Sequence, residues 1–145
     1  AMEAYVLDLK AQADSTGGII EIRVQNTPKA LGDPVFRKLK ERLADAIMSI
    51  GAVTGFDYGA GFKTAEMRGT EYVKDRTNFG GMLGDISTGE DLVLHVSVKP
   101  PSSVGEVAKA GRHDPCIVPR VIPVAEAMVA LVLADCFLLQ RAYQK

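Results

Sequence analysis

Apolar and polar residues along this chain recur with the period of a helix in two places, and a third stretch is almost wholly apolar. Along residues 2–13 and 34–50 the apolar positions are three and four residues apart, which predicts two amphipathic helices. The second begins at Asp33-Pro34, a capping side chain followed by proline at the first helical position. Residues 124–139 are apolar nearly all round. They predict a long helix after Pro123 that is largely buried between layers or against a partner subunit.

Other stretches have the composition and alternation of strands. Residues 19–25 are rich in β-branched residues and predict one strand, and residues 52–58 predict another. Residues 82–87 and 92–98 predict two more, joined as a hairpin by the four residues between them. In the last strand His95 alternates with apolar neighbours, so we expect a half-exposed strand residue there.

The segment from residue 59 to residue 81 has no clear period. Five glycines interrupt it, and basic residues lie between them. We expect a short helix near residues 61–68, followed by a mobile loop of the kind that often serves as a lid.

Length and charge restrict the class of protein. The 145 residues fit a single domain, 1–145, with a real core. A net charge of −1 argues against a nucleic-acid or membrane-surface protein. The two cysteines have no metal-binding spacing, so we predict no metal site and a reduced, cytoplasmic setting. Glu126 and Asp135 interrupt the C-terminal apolar run, which favours a core helix over a membrane span. The sequence begins within a predicted helix, so we expect it to be part of a longer protein.

Two proline-containing loops carry the candidate chemistry. Lys99-Pro100-Pro101-Ser102-Ser103 combines a lysine at a strand end with paired hydroxyls, which suits a phosphate group. The alternative is a proline-rich turn with capping serines. In residues 111–120, Arg112 and Arg120 suit phosphate or carboxylate, and Asp114 can neutralise one of them or move a proton. The alternative there is an ion-paired helix N-terminus.

The run Gly111-Arg112-His113-Asp114-Pro115-Cys116 resembles the C-terminal half of the chorismate synthase family. Four further stretches resemble it in the same order and cover nearly the whole chain: residues 17–36, 46–69, 78–90 and 99–104. Glycine runs and proline turns recur widely, so one stretch alone would indicate little. Five in the right order indicate the family.

The resemblance implies a fold and an activity. The expected fold is α+β, a layered β-α-β sandwich with an antiparallel sheet packed on long buried helices, assembled as a homotetramer. The family is a carbon–oxygen lyase of the shikimate pathway of aromatic amino-acid biosynthesis. It removes phosphate and a proton from 5-enolpyruvylshikimate 3-phosphate by anti-1,4-elimination, giving chorismate. It requires reduced FMN, although the reaction involves no net oxidation or reduction.

The resemblance also assigns roles to residues. The FMN site is expected at Gly51, Ala52, Gly84 and the loop Lys99, Pro100, Pro101, Ser102 and Ser103. Arg112 is expected at both flavin and substrate, and Asp114 as the carboxylate that helps take the proton of flavin N5. Arg112 and Asp114 are thus the candidate catalytic residues, and His113 is expected to be structural.

Three departures from the family pattern concern activity. The family's N-terminal half, with the two histidines regarded as acid catalysts, is missing from this sequence, so the fragment alone is expected to be inactive. Asp85 stands where the family commonly has glycine, and the 104–110 loop is shorter than usual. The alternative to an enzyme fragment is a structural module of the same fold that associates with copies of itself without useful flavin binding.

Overall fold

The computed structural model describes residues 1–111 and 113–143, which form an α+β fold. Its helices are α1 (Met2–Ala11), α2 (Leu39–Met48), α3 (Gly69–Lys74), α4 (Glu106–Ala110) and α5 (Val118–Tyr143). Its strands are β1 (Gly18–Val24), β2 (Val53–Tyr58), β3 (Met82–Leu83), β4 (Ile86–Ser87) and β5 (Leu92–Val98). Two 3₁₀ turns cover Gly61–Glu66 and Arg76–Phe79. An antiparallel sheet packs against helices, so the predicted fold class is confirmed.

The main sheet has the order β1-β5-β2, with β5 antiparallel to both neighbours. The inward side chains of β5 are buried against α2 and α5, which form the other half of the core: Leu92, Leu94, Val96 and Val98. His95 lies on the opposite face and is half-buried, as the alternation predicts. The central strand is therefore covered along both edges and on one face.

The predicted hairpin between residues 82–87 and 92–98 is wrong. Residues 82–87 form their own ribbon, β3–β4, through a two-residue turn at Gly84 and Asp85. Their φ values are 57° and 69°, and a two-residue turn with positive φ at both positions matches the right-handed twist of the flanking strands. Strand β5 pairs instead with β1 and β2, which are distant in sequence. Local spacing carries no information about such partners.

Helix α2 begins at Leu39, not at the predicted cap Asp33. Phe36 has a φ of 63°, which lies outside the right-handed helical region, and the backbone of Lys38 is extended. The N–H of Leu39 donates to the carbonyl of Asp85 at 2.9 Å, and the Leu39 side chain is fully buried. Packing of Leu39 against the β3–β4 turn thus fixes the start of the helix. The capping sequence Asp33-Pro34 does not begin a helix here.

The segment expected to be a mobile loop after residue 68 contains α3 and the second 3₁₀ turn. The rings of Tyr72 and Phe79 pack edge to face with their centroids 4.8 Å apart. Gly80 lies so close to Gly59 that an added Cβ would be 2.5 Å from the Gly59 nitrogen. These contacts hold the segment against the end of β2.

Helix α5 begins at Val118, six residues before the predicted start, and runs to Tyr143 with Pro123 inside it. Only one stripe of the helix is buried: Val121, Ala125, Val129, Val132 and Cys136. The other side is exposed in the described part of the chain, with Leu131 at 66% and Leu138 at 63%. Within this chain the helix is therefore only partly buried, and its expected burial between layers or against a partner subunit stays a prediction. By length and hydropathy α5 is the one described helix that could span a membrane, although its buried stripe packs against α2 and β1.

Candidate functional site

The connector between α1 and β1, residues 13–17, contacts both candidate loops. The N–H of Thr16 donates to the carbonyl of Pro115 at 2.8 Å, and the hydroxyl of Ser15 donates to the carbonyl of Pro101 at 2.5 Å. The loop at residues 99–103 and the loop at residues 113–116 are thereby attached to one short piece of backbone. The fold brings together two segments that are separate in sequence.

His113 adds a second link between the same segments. Its Nδ1 lies 3.0 Å from the carbonyl oxygen of Ser103, and its Nε2 lies 3.0 Å from the carbonyl oxygen of Asp14. The imidazole therefore lies between two backbone oxygens and fixes the position of Ser103. This contact supports a structural role for His113.

Ala52 adjoins the Lys99 loop at the C-terminal end of α2. The N–H of Lys99 donates to the carbonyl of Ala52 at 2.9 Å. Ala52 has a φ of 70°, and an added Cβ on Gly51 would meet no heavy atom within 4 Å. Gly51 and Ala52 therefore lie beside the loop that the resemblance assigns to the same cofactor, with open space next to the backbone.

The contacts that fix the Lys99 loop use its backbone. They involve the N–H of Lys99 and the carbonyls of Pro101 and Ser103. Lys99 and Ser102 are exposed to solvent, and Ser103 is half-buried. An ammonium and two hydroxyls on a proline-stiffened, hydrogen-bonded loop form a ready donor set for a phosphate group.

Asp114 lies just before α5 and is half-buried. Its Oδ2 is 3.3 Å from Nη1 of Arg120, in the first turn of that helix. The ion-paired arrangement considered from the sequence is thus present at this carboxylate. Arg112 lies outside the described residues, so its expected contacts with flavin and substrate stay predictions.

Gly84 lies at the opposite end of α2 from Gly51. The neighbouring Asp85 carbonyl accepts from Leu39 at the first residue of that helix, and the helix is about 15 Å long. Gly84 has a φ of 57°, and an added Cβ would meet no heavy atom within 4 Å. The structure therefore groups Gly51, Ala52, residues 99–103 and Asp114, and places Gly84 apart from them.

A charged cluster surrounds Asp85. Its carboxylate oxygens lie 3.0 Å from Nζ of Lys38 and 3.0 Å from Nζ of Lys40, and Oδ1 accepts from the Tyr58 hydroxyl at 3.4 Å. Burial by itself would raise the pKa of Asp85, but the two ammonium groups outweigh it and hold that pKa below its ordinary value. The hydrogen bond to Asp85 raises the pKa of Lys40, and burial raises the pKa of Tyr58.

A cavity of about 590 Å³ opens beside this cluster. Lys40 and Tyr58 form part of its wall, together with the aromatic side chains of Phe56, Phe62 and Tyr72. Sequence reasoning did not single out these residues, because they come from α2, β2, a 3₁₀ turn and α3. The sequence indicates this cavity only through the aromatic residues that lie among the glycines of residues 56–79.

Comparison with known proteins gives a consistent result. The family model described as chorismate synthase matches residues 1–138. A chorismate synthase of Bdellovibrio bacteriovorus is 55% identical over 132 residues, which cover 89% of this chain and 39% of that protein. One of Archaeoglobus fulgidus is 47% identical over 155 residues, covering 90% of this chain and 43% of that protein.

The fold agrees with the sequence comparison. A crystal structure of chorismate synthase superimposes with a TM-score of 0.82 at 31% identity, covering 96% of this chain and 42% of the solved chain. The chain thus spans about two fifths of the length of the relatives it matches.

Proposed function

This chain belongs to the chorismate synthase family, a family of lyases, and we propose that it forms the FMN-holding portion of such an enzyme. The complete enzyme would eliminate phosphate and a proton from 5-enolpyruvylshikimate 3-phosphate to give chorismate, in the cytoplasm. The observation that carries this proposal is the attachment of the 99–103 and 113–116 loops to residues 13–17, with Ala52 bonded to Lys99.

The residues present fit a flavin that carries a phosphate. Gly51 and Gly84 both have open space where a side chain would be, so a planar ligand can approach the backbone there. Lys99 and Ser102 direct exposed donors to solvent from a loop whose backbone is already held. When bound, reduced FMN would supply an electron transiently to the reaction.

Each residue of the loops has a distinct part in this proposal. Lys99, Ser102 and Ser103 bind the phosphate of FMN, and Pro100 and Pro101 limit the loss of loop entropy on binding. Arg112 neutralises negative charge on flavin and substrate. Gly84, beside the other end of α2, would contact a different part of the flavin from the phosphate loop.

We assign Asp114 the role of proton acceptor: with reduced FMN bound, its carboxylate would take the proton of flavin N5. Its carboxylate is half-buried, and Oδ2 is paired with Arg120. A carboxylate in this state can accept a proton, and the Arg120 pairing sets which oxygen is free to do so.

Turnover requires the remaining portion of a family-length enzyme. The chain spans about two fifths of its relatives, and the resemblance places the acid-catalyst histidines in the portion that is absent here. We therefore propose that this chain alone is inactive and that the complete enzyme is a homotetramer.

Calorimetric titration of the purified chain with FMN tests the proposal. It is done with oxidised flavin, then with reduced flavin under anaerobic conditions in the presence of 5-enolpyruvylshikimate 3-phosphate. Micromolar binding is expected, weakened about tenfold or more by Lys99→Ala, since a charge-assisted phosphate contact contributes about 1.5–3 kcal/mol. Lys109→Ala removes an exposed lysine from α4 and is the matched control.

Failure of FMN to bind a folded chain would contradict the proposal and favour the second candidate function. That candidate is a structural module that associates with copies of itself. The exposed apolar side of α5, with Val124, Leu131 and Leu138, is the observation in its favour.

A further inference from the structure

The connector between α1 and β1 is in contact with the two candidate loops along its whole length. Besides the bonds already described, the carbonyl of Ala13 accepts from the N–H of Gly105 at 2.8 Å, just beyond the 99–103 loop. A Cβ added to Gly17 would collide with the carbonyl of Val98, directly before that loop. Ala13 has a φ of 55°, a left-handed conformation that persists in a non-glycine residue only where its surroundings hold it. The connector is therefore a fixed support for both loops.

His113 joins this support to the 99–103 loop through both nitrogens of its ring. Nδ1 lies 3.0 Å from the carbonyl oxygen of Ser103, and Nε2 lies 3.0 Å from that of Asp14. A carbonyl oxygen only accepts hydrogen bonds, so each contact needs an N–H on the ring. A neutral imidazole has one N–H, and an imidazolium has two. The two bonds together therefore require the protonated, positively charged ring.

The positive charge strengthens both bonds, because a hydrogen bond from an ionised donor is about twice as strong as a neutral one. The ring is half-buried, so salt screens it less than it would a fully exposed group. Loss of the ring would release the Ser103 carbonyl from the connector. The two bonds thus set the spacing between the phosphate loop and the connector.

Asp114 is held by the same arrangement. The His113 ring fixes the backbone on one side of it, and on the other side the carbonyl of Pro115 accepts from the N–H of Thr16. These bonds use main-chain carbonyls, and not the Ser103 hydroxyl or the Asp114 carboxylate. The side-chain groups assigned to FMN are therefore positioned and remain able to contact a ligand.

We propose that His113 is a positioning residue of the cofactor site: its imidazolium ties Ser103 and Asp114 to the connector at the spacing that FMN needs. The inference rests on the proposed function, because it concerns the binding of FMN. It goes beyond a structural role, since a residue that only stabilises the fold would have no particular effect on Ser103.

Two conservative variants separate the two bonds. Asparagine places its amide nitrogen near the position of Nδ1, and glutamine places it near that of Nε2. His113→Asn therefore keeps a donor toward Ser103, and His113→Gln keeps one toward Asp14. In calorimetric titration of the full 145-residue chain, His113→Gln should weaken FMN binding about tenfold, the effect of losing one hydrogen bond from a charged group. His113→Asn should weaken it about threefold or less.

Urea midpoints distinguish positioning from stability. Each variant keeps one bond and loses one, so both should lose a similar amount of stability. A purely structural role would make FMN affinity follow stability, and the two variants would then bind FMN equally well. His95→Gln makes the same change at the chain's other histidine, on the opposite face of β5, and should leave FMN affinity unchanged.

A double-variant cycle with Ser103→Ala tests the route of the effect. In the Ser103→Ala background, His113→Gln should weaken FMN binding by less than about twofold, because the hydroxyl that the ring positions is already gone. A tenfold effect in both backgrounds would mean that the ring does not act through Ser103.

The ligand-free chain gives a readout that does not involve flavin. In ¹H–¹⁵N spectra at neutral pH, both ring N–H protons of His113 should be visible, with nuclear Overhauser contacts to Ser103 and Asp14, because hydrogen-bonded protons exchange slowly with water. A ring with a single N–H would overturn the two-bond arrangement.

The outcomes of the titration separate this inference from the proposed function. A folded wild type that binds no FMN would contradict the proposed function, and the inference with it. A wild type that binds FMN, with His113→Asn and His113→Gln equally weakened or both unchanged, would overturn the inference alone.

Discussion

Asp85 lies in a backbone conformation that favours glycine, yet its side chain contacts three polar side chains. Its φ of 69° is in the left-handed region, which aspartate and asparagine tolerate better than most residues. Lys38, Lys40 and Tyr58 surround the carboxylate. The turn that carries Gly84 is thus anchored to α2 and β2 by one acidic residue.

The Asp85→Asn variant tests how much that charge stabilises the fold, since asparagine keeps the turn geometry. The folded-state pKa of Asp85 is below its ordinary value of 3.8, so the stabilisation is present above that pH and is lost as the pH falls through the folded-state pKa. We expect a loss of about 0.5–1 kcal/mol at pH 7, because both lysines are partly exposed and screened. Urea unfolding at pH 7, and at a pH below the folded-state pKa of Asp85, measures it.

In that experiment the gap between wild type and variant should close at the lower pH. Glu106→Gln, which removes an exposed carboxylate from the pair with Lys109, serves as the control and should behave like the wild type at both pH values. Equal urea midpoints for wild type and Asp85→Asn at pH 7 would mean that the two lysines add nothing to stability.

Asp114 supports a prediction about catalysis. In a family-length chorismate synthase that contains this segment, Asp114→Asn should lower kcat by about 10²-fold or more with little change in FMN affinity. The amide keeps the shape of the side chain and loses the ability to accept a proton. Steady-state kinetics and flavin titration on the same variant measure the two effects. A collapse of FMN affinity would instead make Asp114 an architectural ion-pair partner of Arg120.

At the scale of elements, α2 shows how a short helix becomes part of the core. Leu39, Leu43 and Ile47 recur every four residues and are all fully buried. On its polar side, Arg42 pairs with Asp135 of α5. The apolar stripe fixes α2 to the sheet, and the ion pair joins it to the second helix.

Leu43→Ala should lower the free energy of unfolding by about 2–5 kcal/mol, because it removes a fully buried side chain and leaves a cavity. The comparison is Leu131→Ala on α5, where the side chain is 66% exposed and the expected change is within about 0.5 kcal/mol. Urea midpoints of both variants give the two values. A loss from Leu131→Ala as large as that from Leu43→Ala would mean that the exposed side of α5 is covered in solution.

For the whole molecule, the order of the sheet predicts which parts open first. Strand β5 is paired on both edges and its four inward residues are at most 3% exposed, whereas α1 buries only Leu9. Native-state hydrogen exchange should therefore show β5 amides exchanging only through global unfolding and α1 amides through local opening. Exchange of β5 at the rate of α1 would contradict the central position of that strand.

The sequence determined which residues form the apolar faces, and it identified the family. The alternation along β5 and the four-residue steps of α2 follow from covalent geometry, which sets the direction of each side chain. The order of the motifs pointed to chorismate synthase, and the family comparison confirms this. These features depend on residues that are close together in the sequence, so they can be predicted from the sequence alone.

Tertiary structure decided the strand partners, the start of α2 and the grouping of the candidate site. The pairing of β5 with β1 and β2, and the bond from Leu39 to Asp85, join residues far apart in sequence. So does the attachment of the 99–103 and 113–116 loops to the connector at residues 13–17. Each arises because buried backbone groups must find hydrogen-bond partners and apolar faces must be covered, and no local pattern specifies which distant segment does so.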